Sequence, residues 1–112
     1  MAKEIKNVDG IEVGMYCTYG CWSDRYVAKV VSITAKTFTA KEIRPLRNKA
    51  VWPDQDWEMQ TEPDANAPEM VVRQSTSHGK RFGWKSGSWR FSKPAKIAEK
   101  DLGNLYYRDP SF

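Results

Sequence analysis

The residues best suited to chemistry lie between Lys80 and Ser92, where aromatic and basic side chains interleave: Arg81, Phe82, Trp84, Lys85, Trp89, Arg90 and Phe91. Ser86-Gly87 reads as a two-residue hairpin turn, with Gly supplying a positive φ. That turn sets Trp84 opposite Trp89 and Phe82 opposite Phe91. Because side chains alternate along a strand, four rings then share one face, and Arg81, Lys85 and Arg90 share the other. Rings beside cations suit a nucleic acid or nucleotide, whose bases stack while its phosphates meet positive charge. The plainer meaning is a buried ring face and a solvated basic face, the usual result of one-sided alternation. Even then the basic face can hold phosphates alone. The candidate ligand-binding residues are Arg81, Lys85, Arg90, Trp84 and Trp89.

A second group, Trp22-Ser23-Asp24-Arg25-Tyr26, sets a Trp in a loop beside a charged pair. Trp22, Asp24 and Arg25 are candidates for contact with a protein, since a loop Trp makes a good anchor. The plainer alternative has Ser23 and Asp24 shaping the turn while the rings pack inward. For catalysis or metal binding the inventory is thin. Cys17, Cys21 and one histidine, His78, fall short of four zinc ligands, so both cysteines are expected as free thiols without metal. His78 lies in a Ser-His-Gly turn. No phosphate loop or paired-cysteine motif is present. The expectation is a binding module without enzymatic activity, catalytic residues or cofactor.

Charge along the chain is uneven within a net +4. Residues 51–72 carry six acids and no base, whereas 73–100 carry eight bases and only Glu99 as an acid. Such asymmetry marks an anion-binding face or a self-complementary pair of segments.

The elements that must position these groups read as strands. Met15–Tyr19 is a short one. Arg25–Thr34 and Thr37–Arg44 pair around Ala35-Lys36, which sets Ile33 opposite Phe38 and Lys29 opposite Glu42. Pro45 ends the second of them. Four of the six prolines fall at 45–69, so that stretch reads as a long, mostly irregular acidic connection, with residues 53–68 more mobile than the strands. Met70–Ser75 resumes a strand before the hairpin. Ser92-Lys93-Pro94 resembles a helix start and Gly103 a stop, with a further strand as the rival. With 112 residues and 12% aromatic side chains, these elements predict one mostly β domain, an SH3-like or OB-like barrel or curled antiparallel sheet, with at most a short C-terminal helix. The start carries no signal-peptide pattern and no stretch is long enough to span a bilayer, so a cytoplasmic location is expected.

Gly14, Thr18, Trp22–Tyr26, Val30-Val31 and Lys36-Thr37 resemble a family of small proteins encoded by bacteriophages and prophages. Members also tend to close on a Tyr-rich stretch ending in Ser-Phe, as residues 106–112 do here. The resemblance implies a small viral protein acting inside a bacterial cell. It carries no activity or site residue with it. It leaves three expectations: a nucleic-acid or nucleotide binder, an inhibitor or modulator of a host (defence) protein, or a structural, oligomeric phage component.

Overall fold

The computed structural model describes residues 6–20, 24–77, 80–87 and 89–107, and for 75–77 and 80–82 the backbone alone. Among the described residues eight strands form: β1 Tyr16–Gly20, β2 Tyr26–Ile33, β3 Thr37–Ile43, β4 Pro45–Asn48, β5 Trp57–Met59, β6 Glu69–Ser77, β7 Lys80–Ser86 and β8 Trp89–Phe91. Six of them close an antiparallel barrel in the order β1-β2-β3-β6-β7-β8, and β4 and β5 pair separately. The barrel shuts where Tyr19 of β1 faces Phe91 of β8 and Gly20 faces Arg90. Ser92 prolongs that seam: its N–H donates to the Thr18 carbonyl at 2.9 Å, and its Oγ accepts from the Thr18 N–H at 2.9 Å.

Alternation puts small and large apolar side chains inside. Cys17, Tyr19, Ala28, Val30, Phe38, Ala40, Val72, Trp84 and Phe91 fill the barrel, with Ile11 plugging it. Tyr19 stacks on Phe91 with centroids 5.0 Å apart, and Phe38 meets Trp84 at 5.5 Å. Each such ring pair contributes about 0.5–1.5 kcal/mol beyond the area it buries.

A second apolar cluster lies outside the barrel wall, where Tyr16, Val27 and Ile43 are covered by Met59 of β5 and Leu102. Val27 and Ala28 are therefore both fully buried although they point to opposite faces of β2. Leu102 belongs to a 3-10 helix, Glu99–Asn104, which starts later than the Ser92-Lys93-Pro94 signal implied. Gly103 is not its stop but a point of close approach. A Cβ there would stand 1.9 Å from the Trp57 carbonyl oxygen, so only Gly lets the helix seat on β5.

The β2–β3 hairpin sets Ile33 opposite Phe38 as expected, but Lys29 faces Lys41, and Glu42 faces Ala28. A bulge between Val30 and Ser32 is the reason: one extra residue in β2 slips every later pair by one. The stretch 45–69 is not uniformly irregular, since β4 and β5 form inside it, Asn48 opposite Trp57. In the last hairpin the register differs from expectation by two residues. Trp84 faces Phe91, Lys85 faces Arg90 and Ser86 faces Trp89. Gly87, with φ 59°, leads the link instead of ending it. A two-residue shift keeps Trp84 and Phe91 on one face and Lys85 and Arg90 on the other. It also brings Trp84 and Phe91, both 6% exposed, together in the core.

Candidate anion-binding face

β6 and β7 pair with their own bulge. Ser77 faces Lys80 and Thr76 faces Arg81, but beyond them Gln74 faces Trp84 and Arg73 faces Lys85. One residue of β6 thus opposes two of β7, one of them Gly83 at φ 75°, a conformation that Gly adopts without strain. Continued without the bulge, the Ser77–Lys80 register would set Arg73 against Trp84, the ring that faces the core. The extra residue instead moves Arg73 into line with Lys85.

The consequence is a row of cations across the outside of the barrel. Lys85 is the direct neighbour of Arg73 on β6 and of Arg90 on β8. Strands lie about 4.8 Å apart, so the three backbone positions span roughly 10 Å. Arg73 and Arg90 are exposed and Lys85 is half-buried. Like charges directly opposed destabilise a sheet, yet none of the three has an acidic partner among the described residues. Shallow grooves follow the row. One runs between Arg73, Lys85 and Gly87, the next between Lys85 and Arg90, and a third between Arg90, Thr18, Gly20, Arg25 and one acid, Asp24, which forms no ion pair with the row. A larger depression, about 660 Å³, lies elsewhere, beside Asn7, Ile11 and Ile33. It gathers no cluster of like charge.

The acidic stretch pairs with a different part of the chain. Arg44 Nε donates to Asp64 Oδ2 at 2.8 Å, Arg47 meets Glu58 at 2.9 Å and Lys49 meets Asp56 at 3.9 Å. Lys29 pairs with Glu62, and Lys41 Nζ donates to the Ala65 carbonyl at 3.1 Å. Burial works against the Lys29 ammonium, but hydrogen bonding to Glu62 and the neighbouring Tyr16 outweigh it and hold its pKa above the ordinary value. Hydrogen bonds from Gln60 and Arg44 hold the Asp64 carboxyl below the usual carboxylate range. The acids thus neutralise bases from β2 to just beyond β4 and leave the row on β6–β8 uncompensated.

The other candidates fall as follows. Trp84 is a core residue against Phe38, so its ring is not a stacking surface. Trp89 is 36% exposed at the mouth of the barrel, where it meets Tyr19 and Tyr26 edge-on with centroids at 5.5 and 6.1 Å. The backbone of Arg81 lies in β7, and its side chain is outside the described part of the structure. Arg25 is exposed but engaged within the chain: its Nε donates to the Leu105 carbonyl at 2.7 Å, and its backbone exchanges hydrogen bonds with Tyr107. These bonds clamp the C-terminal segment to the start of β2. Asp24 is half-buried beside the Tyr26 hydroxyl. Trp22, Cys21 and His78 lie outside the described residues. Cys17 is a buried free thiol, pushed up to about 12 by burial. Among the described residues no three His, Cys, Asp or Glu side chains gather to hold a metal.

Arg73 is the site residue that sequence reasoning missed. Its only signal is a charge at the end of the apolar Met70-Val71-Val72 run, which gains meaning once the bulge is known.

Fold and site together define a small closed β-barrel with one covered outer side and one basic outer side that is bare among the described residues. No family model, curated protein or solved structure matches the chain.

Proposed function

We propose that the protein is a binding module for nucleic acid, held by its phosphates on the outer face of β6, β7 and β8. The observation that carries this reading is the row Arg73–Lys85–Arg90: three opposed cations without an acid among the described residues, in a chain whose acids neutralise other bases. A phosphate backbone resolves that repulsion, because each phosphate replaces like-charge proximity with a charge-assisted hydrogen bond. A single planar guanidinium can grip a phosphate with two N–H groups, and the row supplies one at each end. The resemblance to phage-encoded proteins supports a setting inside a bacterial cell, where nucleic acid is abundant.

The test is a titration of the purified protein with single-stranded and duplex DNA at low and at physiological salt. Binding should be clear at low salt and fall steeply as salt rises. The double variant Arg73→Glu, Arg90→Glu should abolish it while the fold persists, since exposed substitutions cost little stability. Absence of binding at low salt removes this reading and leaves a host-protein partner in front.

A further inference from the structure

We infer that the strand held on this face is single-stranded, and that Trp89 stacks on one of its unpaired bases. The inference rests on the phosphate-binding reading above and adds a base contact to it. Arg90 and Trp89 are consecutive in β8, so alternation sends Arg90 to the outer face and Trp89 to the mouth of the barrel. At that mouth 36% of the Trp89 surface is open. The ring is held edge-on by Tyr19 and Tyr26, which fixes its position without enclosing it. The groove beside Arg90 reaches Tyr19, one of the rings that support Trp89. Gly20 and Asp24 also line it; Gly20 faces Arg90 across the seam and lies so close to Asp24 that a Cβ there would stand 2.5 Å from the Asp24 carbonyl oxygen.

A ligand touching both Arg90 and Trp89 must therefore pass over the rim between two surfaces of the barrel. Duplex DNA, with a persistence length of about 50 nm, does not fold over an edge one strand wide, and its bases are not free to stack. A single strand does both. Its phosphates follow the row and a base leaves the backbone at the rim. Stacking tolerates any base because every base has a π-face, so the stacked ring adds affinity with little sequence preference.

The experiment compares three probes on the intact protein: an oligothymidylate of about 12 nucleotides, within the range that a small barrel covers, its duplex with the complementary strand, and inorganic polyphosphate. The wild type should prefer the single strand to the duplex. Trp89→Ala should weaken oligothymidylate binding about tenfold or more and leave polyphosphate binding unchanged. Trp89→Phe, which retains a ring, should restore most of the loss. Equal affinity for duplex and single strand overturns the inference, as does an equal loss of polyphosphate binding in Trp89→Ala, which would make the ring a support of the fold. Failure of all three probes to bind overturns the phosphate reading itself. Polyphosphate binding without a preference for the single strand overturns the stacking inference alone.

Discussion

The two outer sides of the barrel meet the same electrostatic problem and treat it differently. On β2 and β3 the bulge sets Lys29 directly opposite Lys41, two like charges side by side. There the chain supplies its own remedy: Glu62 pairs with Lys29, the Ala65 carbonyl takes Lys41, and Glu69 faces Lys41 from β6. The β4–β5 pair and the 3-10 helix complete a cover over Tyr16, Val27 and Ile43. On β6, β7 and β8 another bulge sets Arg73, Lys85 and Arg90 in line, and among the described residues no acid answers them. The covered side contributes to stability, and the bare side accepts a cost in stability and stays open to an anion.

Leu102→Ala should break the comparison hardest. Leu102 is fully buried between β5 and the barrel wall, and deleting its side chain leaves a cavity costing about 2–5 kcal/mol. Urea denaturation should show that loss. Oligothymidylate affinity of the folded fraction should stay at its wild-type value, because the bare side owes nothing to the cover.

Alkaline pH should come next. The buried Cys17 thiol titrates near 12 in the fold and near its model-compound value of 9.0 when unfolded. A raised acid pKa means that the folded state keeps a proton which the unfolded chain releases. Stability is therefore full below pH 9 and falls between 9 and 12, by up to about 1.4 kcal/mol for each pH unit. Tyr16 and Tyr19, both raised mainly by burial, act in the same direction at higher pH. Cys17→Ala should flatten the urea midpoint against pH between 9 and 10; an unchanged profile would assign the loss elsewhere.

The smallest effect is the most informative in sign. Lys85→Glu places an acid between Arg73 and Arg90, turning two repulsive cross-strand pairs into attractive ones. Stability should rise by about 0.2–1 kcal/mol for each pair, measured as a shift in the thermal midpoint. Nucleic-acid affinity should fall in the same protein. A gain in stability with a loss of binding is the signature of a site kept at the expense of the fold. A loss of both would mean that Lys85 supports the sheet.

Much of this frame was legible in the sequence. Val30, Val31 and Ile33 before Ala35-Lys36, and Thr37, Phe38 and Thr39 after it, announce the β2–β3 hairpin, and its Ile33–Phe38 register follows from the turn alone. The faces of Trp84, Lys85, Arg90 and Phe91 were also legible, since a two-residue error in register leaves alternation intact, whereas the bulge beside Gly83 breaks the alternation that had tied Arg81 to Lys85. Bulges were not. Whether one residue opposes two depends on packing across the barrel; Val31 carries no local mark of it, and Gly83, an isolated glycine within a strand, marks a bulge without fixing the register it produces. With the bulges unseen, Lys29 was assigned to Glu42 and Arg73 went unnoticed. The β4–β5 pair was hidden for a different reason: its prolines and acids argue against strands locally, and partners distant in sequence, Arg44 with Asp64 and Tyr16 with the Thr61 carbonyl, hold it in place. Gly103 imitates a helix stop because the Trp57 carbonyl that demands it lies 46 residues away in the chain.

The claim that one side of the barrel is reserved for phosphates is tested most directly by the salt dependence of oligothymidylate binding. For a single strand, removing one cation that neutralises a phosphate lowers the slope of log affinity against log salt by about 0.7. Arg73→Gln, Lys85→Gln and Arg90→Gln should each reduce the slope by about that amount. Lys49→Gln and Arg47→Gln, on the side where Asp56 and Glu58 already pair with these bases, should leave it unchanged. Equal reductions on both sides would show attraction to net charge alone and contradict the account.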